Sequence, residues 1–205
     1  MVRENKREAI LNAAIKIFAQ KSYNGTTTSE IAKEAGVAEG TIFRYFKTKK
    51  DILIKGVIDK FTEFVGEKFI SQQLNKLLET NGGKDEREIL KILIKDRIEL
   101  VKKYNDIMKV VISESLYNEE VATSIKKNIL PKAKLFIRKF LITYIEKGVF
   151  RNVDLELAET ALMGTLATYV VQNHFFSHSY VPNDEEIDKL IDIIIGGLEN
   201  HKKEW

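Results

Sequence analysis

Apolar residues recur at helical spacing along almost the whole of this 205-residue chain, and no alternating run of useful length competes with them. Ile10, Ala13, Ala14, Ile17 and Phe18 fall at i, i+3, i+4, i+7 and i+8, which lays one apolar stripe along a first helix. Asn24-Gly25 then makes a turn. Thr27-Thr28-Ser29-Glu30 fits a capping box: the Thr27 hydroxyl can take the amide three residues on, and Glu30 can reach back to the Thr27 amide. The pattern predicts a short second helix that runs through Ala35 and stops at Gly36. A third runs from about Glu39 to Tyr45, and Lys47-Thr48-Lys49-Lys50 leads into a long fourth helix reaching about Thr80.

Asn81-Gly82-Gly83-Lys84 is the clearest linker. Asp85 is placed to cap a helix carrying Ile89, Ile92, Leu93 and Leu100, and a shorter helix spans about Asp106 to Ser115. Glu119 to Lys147 reads as helical but contains Pro131, which lacks a backbone donor and must kink or split it. Gly148 ends that segment. Two last helices cover about Asp154 to Phe176 and Asp184 to Asn200, with a turn around Pro182 between them. The expectation is an all-α chain of about nine helices, with an N-terminal three-helix domain (1–48) and a larger C-terminal helical domain (49–205).

Composition narrows the function classes. Hydrophobic residues make up 44% of the chain and charged residues 31%, enough apolar material to exclude a disordered chain. The absence of Cys excludes a disulfide scaffold, thiolate–zinc sites and cysteine nucleophiles. Met1 to Ile10 is charged and lacks the apolar core of a signal peptide, and no run approaches the roughly 18 apolar residues of a membrane span. A soluble, cytoplasmic protein without a membrane partner is expected. Residues 1–50 carry ten Lys/Arg against five Asp/Glu, a net of +5, which leaves −2 for the other 155. A basic first quarter on a slightly acidic body points to a polyanionic partner for that quarter.

Residues 26–46 give that partner a form. Two short helices joined by Gly36-Val37-Ala38 match the helix–turn–helix arrangement, in which the second helix enters the major groove of DNA. Small residues at Ala32 and Ala35 let the helices cross closely. Gly40 lets backbone approach a phosphate without a Cβ in the way. Thr41 and Arg44 share the exposed face with Tyr45 nearby; Arg suits bidentate contact with guanine, and Thr can bond a base or touch a thymine methyl. Thr26, Thr27, Lys49 and Lys50 stand at helix starts, where phosphate contacts set register. The alternative is a generic helical hairpin with solvated charges.

These residues closely resemble the DNA-binding domain of TetR-family transcriptional regulators. The resemblance is carried by Thr26-Thr27, Ile31-Ala32, Ala35-Gly36-Val37-Ala38-Glu39-Gly40-Thr41-Ile42-Phe43-Arg44-Tyr45-Phe46, and Lys49 with Leu53. Gly148-Val149-Phe150-Arg151 before Asp154 also looks like the family's lead into its eighth helix. Two departures stand out. Ala38 replaces the family's common Ser, whose hydroxyl caps the recognition helix, and Phe43 replaces a frequent Tyr, so it cannot hydrogen-bond a phosphate. Glu39 suits the helix dipole but not a nearby phosphate.

The resemblance implies a ligand-responsive homodimer that represses from a palindromic operator with half-sites about 34–36 Å apart. The dimer interface would fall on 154–176 and 184–200, through the small residues Ala161, Gly164, Thr165 and Thr168 and the stripe Ile187, Ile191, Ile194. A pocket for a small, mostly apolar effector would be walled by Phe61, Phe64, Tyr104, Met108, Tyr117, Phe136, Phe140, Tyr144, Met163, Tyr169 and Phe175. An acyl-CoA would want a basic mouth, which Lys68, Arg97, Lys102 and Arg138 could supply. A cationic drug-like compound would want a carboxylate such as Glu63, Glu67 or Glu114. No cofactor and no metal is expected: His174 and His178 stand four apart but lack a third clustered ligand. No Gly-rich phosphate loop, nucleophile elbow or metal-ligand cluster supports an enzyme. The remaining rival, a helical carrier without DNA function, would tolerate charge reversal at Arg44 and Lys49.

Overall fold

The computed structural model describes residues 2–68, 85–172 and 182–199. It contains α1 (Val2–Lys21), α2 (Thr28–Glu34), α3 (Glu39–Tyr45) and α4 (Lys49–Ile52), which continues unbroken through a π-helical stretch (Leu53–Ile58) into α5 (Asp59–Lys68). There follow α6 (Glu86–Lys103), α7 (Asn105–Ser115), α8 (Glu119–Asn128), α9 (Leu130–Glu146), α10 (Leu155–Val171) and α11 (Asp184–Gly196). The described residues contain no strand, only an isolated bridge between Phe150 and Glu199. The fold is all-α, as the periodicity predicts. The linker 81–84, His174, Phe175 and His178 lie outside the described residues, as do the side chains of Phe64, Glu67 and Lys68.

By contacts the chain divides into two compact units, Met1–Glu67 with Tyr104–Leu130, and Lys68–Lys103 with Pro131–Trp205. This grouping cuts across the 1–48 and 49–205 division, because α7 and α8 pack with the N-terminal helices.

In the first unit α1 presents Ile10, Leu11, Ala13, Ala14, Ile17 and Phe18 to the core, where it packs on α2, α7 and the π-helical stretch. Gly56 makes that last contact possible: a Cβ there would lie 2.3 Å from Leu11 Cδ2 and 3.3 Å from the Phe46 ring. Helix α2 ends where expected. Gly36 takes φ +66°, and its amide and that of Val37 close the helix on Lys33 and Ala32 carbonyls.

In the second unit α6 packs against α10 and α11. Ile89, Leu90, Leu93 and Ile94 of α6 join Leu162, Leu166 and Val170 of α10 and Ile187, Ile191 and Ile195 of α11 in the buried set. Phe140, Tyr144 and Phe150 form a ring cluster with centroids 5.1 to 5.7 Å apart. Three helix starts here carry side-chain caps: Asp85 accepts from the Glu88 amide, Asp154 from Leu157, and Asn183 exchanges a capping box with Glu186. Pro131 splits the 119–147 segment into α8 and α9 and sits in the first turn of α9, where a missing donor is tolerated. The last helix is shorter than its periodicity suggests. It ends at Gly196, and the chain turns so that the Leu198 carbonyl accepts from the Arg151 amide and Gly197 from the Arg151 guanidinium.

Since nothing lies within 4 Å of a Cβ built on Gly36, the cost of a side chain there is conformational. Gly36→Ala is expected to lower unfolding free energy by about 1–2 kcal/mol, read as a lower urea midpoint at unchanged slope.

Candidate nucleic-acid interface

Helices α2 and α3 are short, so their ends decide their placement. Thr27 and Glu30 form the predicted capping box, with the Thr27 amide donating to Glu30 (2.9 Å) and the Glu30 amide to the Thr27 hydroxyl (3.2 Å). Lys21 pairs with the same carboxylate. The Lys21 ammonium first, and the Thr27 donors after it, hold the Glu30 carboxyl down at about 2, against an ordinary 4.5. The Thr28 hydroxyl donates to Glu39 at 2.5 Å, tying the first turn of α2 to the first turn of α3. Ala38 supplies no side-chain cap to α3, so the Glu39 charge in its first turn does what a capping hydroxyl would otherwise share.

A second capping box, Thr48 with Asp51, starts α4. The Thr-x-x-Asp pattern at 48–51 is the sequence signal for this start.

Helix α3 buries Ile42, and Phe46 just past its end is 3% exposed. Gly40, Phe43, Arg44 and Lys47 form its outward face, with Thr41 and Tyr45 half-buried at the flanks. Arg44 has no hydrogen-bond or ion-pair partner among the described residues, so its guanidinium is free to meet a ligand. A Cβ on Gly40 would meet nothing within 4 Å, which leaves the outward side of the turn open.

Two expected phosphate contacts are corrected. Thr26 is 2% exposed and its hydroxyl donates to the Ser22 carbonyl at 2.8 Å, so it closes the turn before α2. The Lys49 ammonium donates to the carbonyls of Tyr23 (2.9 Å) and Thr26 (2.7 Å) and lies 4.4 Å from the centre of the Tyr23 ring. Lys49 is thus a clamp on the same turn. Lys50 pairs with Glu120 at 2.6 Å. From the other side the Tyr23 amide donates to Glu114, a carboxylate of α7 only 7% exposed. Glu114, a candidate for meeting a cationic effector, turns its oxygen to this turn instead.

The other expected sites separate by burial. Phe61, Phe136, Phe140 and Tyr144 are buried, and Tyr104, Met108, Met163 and Tyr169 are half-buried. Burial pushes the Tyr144 phenol up. Tyr117 is 86% exposed beside an open cleft with Lys50, Ile54 and Asn118, which is no place for the wall of an enclosed pocket. Arg138, a candidate for a basic mouth, pairs with Glu159, a 1% exposed carboxylate with no local sequence signal. Ala161, Gly164, Thr165 and Thr168 form an exposed face of α10 with Leu157. Ile187 and Ile191 do not join an outer stripe: both are 1% exposed, buried within their own unit. Ile194 is half-buried, and the outward apolar residue of α11 is Ile193, 76% exposed. Among the described residues no three His, Cys, Asp or Glu side chains cluster as a metal site, and no helix is long and apolar enough to cross a membrane.

The sequence model for bacterial regulatory proteins of the tetR family matches residues 10–55, the stretch that holds α2, α3 and both capping boxes. The HTH-type transcriptional regulator YvkB of Bacillus subtilis is 31% identical over 148 residues, covering 72% of this chain and 71% of YvkB. The chain belongs to the TetR family. Other relatives of this TetR-family regulator include the fatty acid metabolism regulator protein of B. subtilis, 28% identical over 199 residues and covering 93% and 94% of the two chains. It spans 57% of the length of YerO, a B. subtilis regulator to which it is 28% identical over 174 residues, 82% of this chain. Among solved structures it is similar to the regulator FadR of B. subtilis in complex with stearoyl-CoA, at 25% identity, TM-score 0.63, and coverage of 92% and 95%. These relatives are transcriptional regulators, not enzymes.

Because the folded-state value of Glu30 lies below its ordinary one, its contribution is full above about 4.5 and is lost as pH falls through about 2. The difference in melting temperature between wild type and Glu30→Gln is therefore expected to be largest above pH 5 and to close toward pH 2. A gap independent of pH would contradict the assignment.

Proposed function

We propose that this TetR-family regulator is a homodimeric repressor that occupies a palindromic operator through α3 and is released by a small, mostly apolar effector, an acyl-CoA. The observation that carries the DNA-binding half is the outward face of α3, where Arg44 is free and Gly40 is uncovered on a framework fixed by two capping boxes. Arg44 is the base reader, suited to guanine O6 and N7. Thr41 and Tyr45 hold phosphates at its flanks, and Thr27 and Glu39 fix the two helix starts. Residues 1–48 form the DNA-binding domain and 49–205 the ligand-binding and dimerisation domain.

The exposed small-residue face of α10 supports a twofold interface, since Ala161, Gly164, Thr165 and Thr168 let a second helix approach closely, and Ile193 of α11 adds apolar area. The acyl-CoA class is supported by the names of the fatty acid metabolism regulator and of the stearoyl-CoA complex. The buried aromatic residues of α9 offer apolar surface for an acyl chain. Effector binding releases DNA only to the extent that it favours the DNA-incompetent state, and a tenfold loss of operator affinity needs about 1.4 kcal/mol of such preference.

Fluorescence anisotropy on a labelled duplex from the region upstream of its own gene tests this. The expected result is tight binding at two chains per half-site pair, about tenfold or more weaker for Arg44→Ala, and reversed by stearoyl-CoA. Gly40→Ala is expected to melt no lower than wild type, yet to bind the same duplex more weakly. Affinity equal to that for random duplex, for both this site and any site selected from a random pool, would overturn the DNA-binding reading. Operator binding indifferent to stearoyl-CoA and to shorter acyl-CoAs would overturn the effector class alone.

A further inference from the structure

Phe43 is 48% exposed on the outward face of α3. The other members of that face are Gly40, Arg44 and Lys47, and neither cation has a partner among the described residues. A half-exposed phenyl ring set among free cations is poorly matched to water and well matched to a surface that is anionic at its edges and apolar within. The major groove of DNA is such a surface: phosphates line its rims, and the thymine C5 methyl is the apolar group on its floor.

We propose that Phe43 reads thymine in the operator by packing its ring against that methyl, an inference that rests on the DNA-binding reading above. Phe43 carries no donor or acceptor and so cannot serve as a phosphate anchor. Gly40, one turn earlier on the same face, has no side chain to screen the ring, and the space where a Cβ would stand is empty. The Glu39 carboxylate is turned toward the Thr28 hydroxyl, which keeps the one acidic group of this turn engaged with α2. Ile42 and Phe46 hold the inner side of the helix in the core, so the ring is presented from a fixed backbone. Phe43 and Arg44 then read adjacent positions by different means, an apolar contact to thymine and a bidentate contact to guanine.

The probe is the operator itself, taken from selection on a random duplex pool, with each thymine replaced in turn by deoxyuridine, which lacks only the methyl. The full chain is compared with Phe43→Leu and Phe43→Ala by anisotropy at one fixed salt concentration. Wild type is expected to lose about fourfold in affinity at one thymine of each half-site. Phe43→Ala should bind the parent operator more weakly and show no further loss at that thymine, while Phe43→Leu keeps part of the discrimination. Because the wild-type comparison alters only the DNA, it does not depend on how the variants fold. The inference is overturned if no deoxyuridine duplex binds wild type more weakly, as contact with the sugar face would give, or if Phe43→Ala shows the same loss as wild type. A pool that yields no bound sequence overturns the DNA-binding reading first, and this inference with it, so the two failures are told apart.

Discussion

The Lys49 ammonium fixes the geometry on which the DNA-facing surface depends. Among the described residues it has no carboxylate partner; it donates to two backbone carbonyls of one turn, Tyr23 and Thr26, and lies against the Tyr23 ring. The turn is otherwise a weak point, since Ser22 holds φ +60°, a conformation costly for any residue but glycine. Three devices hold it: the Thr26 hydroxyl on Ser22, Lys49 from α4, and the buried Glu114 carboxylate of α7 on the Tyr23 amide. The start of α2 follows directly from the end of that turn, and Thr28 of α2 positions Glu39 of α3. The orientation of the recognition helix is therefore set by α4 and α7 as much as by its own packing.

Within the first unit the turn before α2 is tied to α7. Helix α7 packs along α1, and its one buried carboxylate ends on the turn between α1 and α2. Losing that 3.3 Å hydrogen bond would leave a buried carboxylate short of a donor, at a cost of about 1–3 kcal/mol or more. In the π-helical stretch that follows α4, Gly56 lets Leu11 and Phe46 pack closely where a side chain would not fit.

Much of the fold was legible in the sequence because its signals are local. Capping at Thr27, the stop at Gly36, the break at Pro131 and the buried stripe of α1 each rest on residues within one or two turns of one another. The site was legible in part. The outward face of α3 follows from helical spacing, so Arg44 falls on it as expected, while Thr41, expected beside it, is half-buried at the flank. The role of Lys49 was not legible, because a lysine at a helix start looks the same whether it meets phosphate or a carbonyl 23 residues away, and the Thr26 hydroxyl looks the same whether it meets phosphate or the Ser22 carbonyl four residues back. The same limit applies to α11. Its apolar stripe has a helical period in either case, and only the packing of α6 shows that Ile187 and Ile191 face inward while Ile193 does not. Glu159 gave no sequence signal because its partner Arg138 lies 21 residues distant on another helix.

Lys49, committed to two carbonyls of one turn, is expected to position the reading helix without neutralising a phosphate itself. The slope of log affinity against log salt separates the two roles, since each phosphate contact adds about 0.9 to its magnitude on duplex DNA. Lys49→Met is predicted to bind the operator more weakly at every salt concentration, with a slope equal to that of wild type. A slope shallower by about one unit would make Lys49 a phosphate ligand and contradict the account.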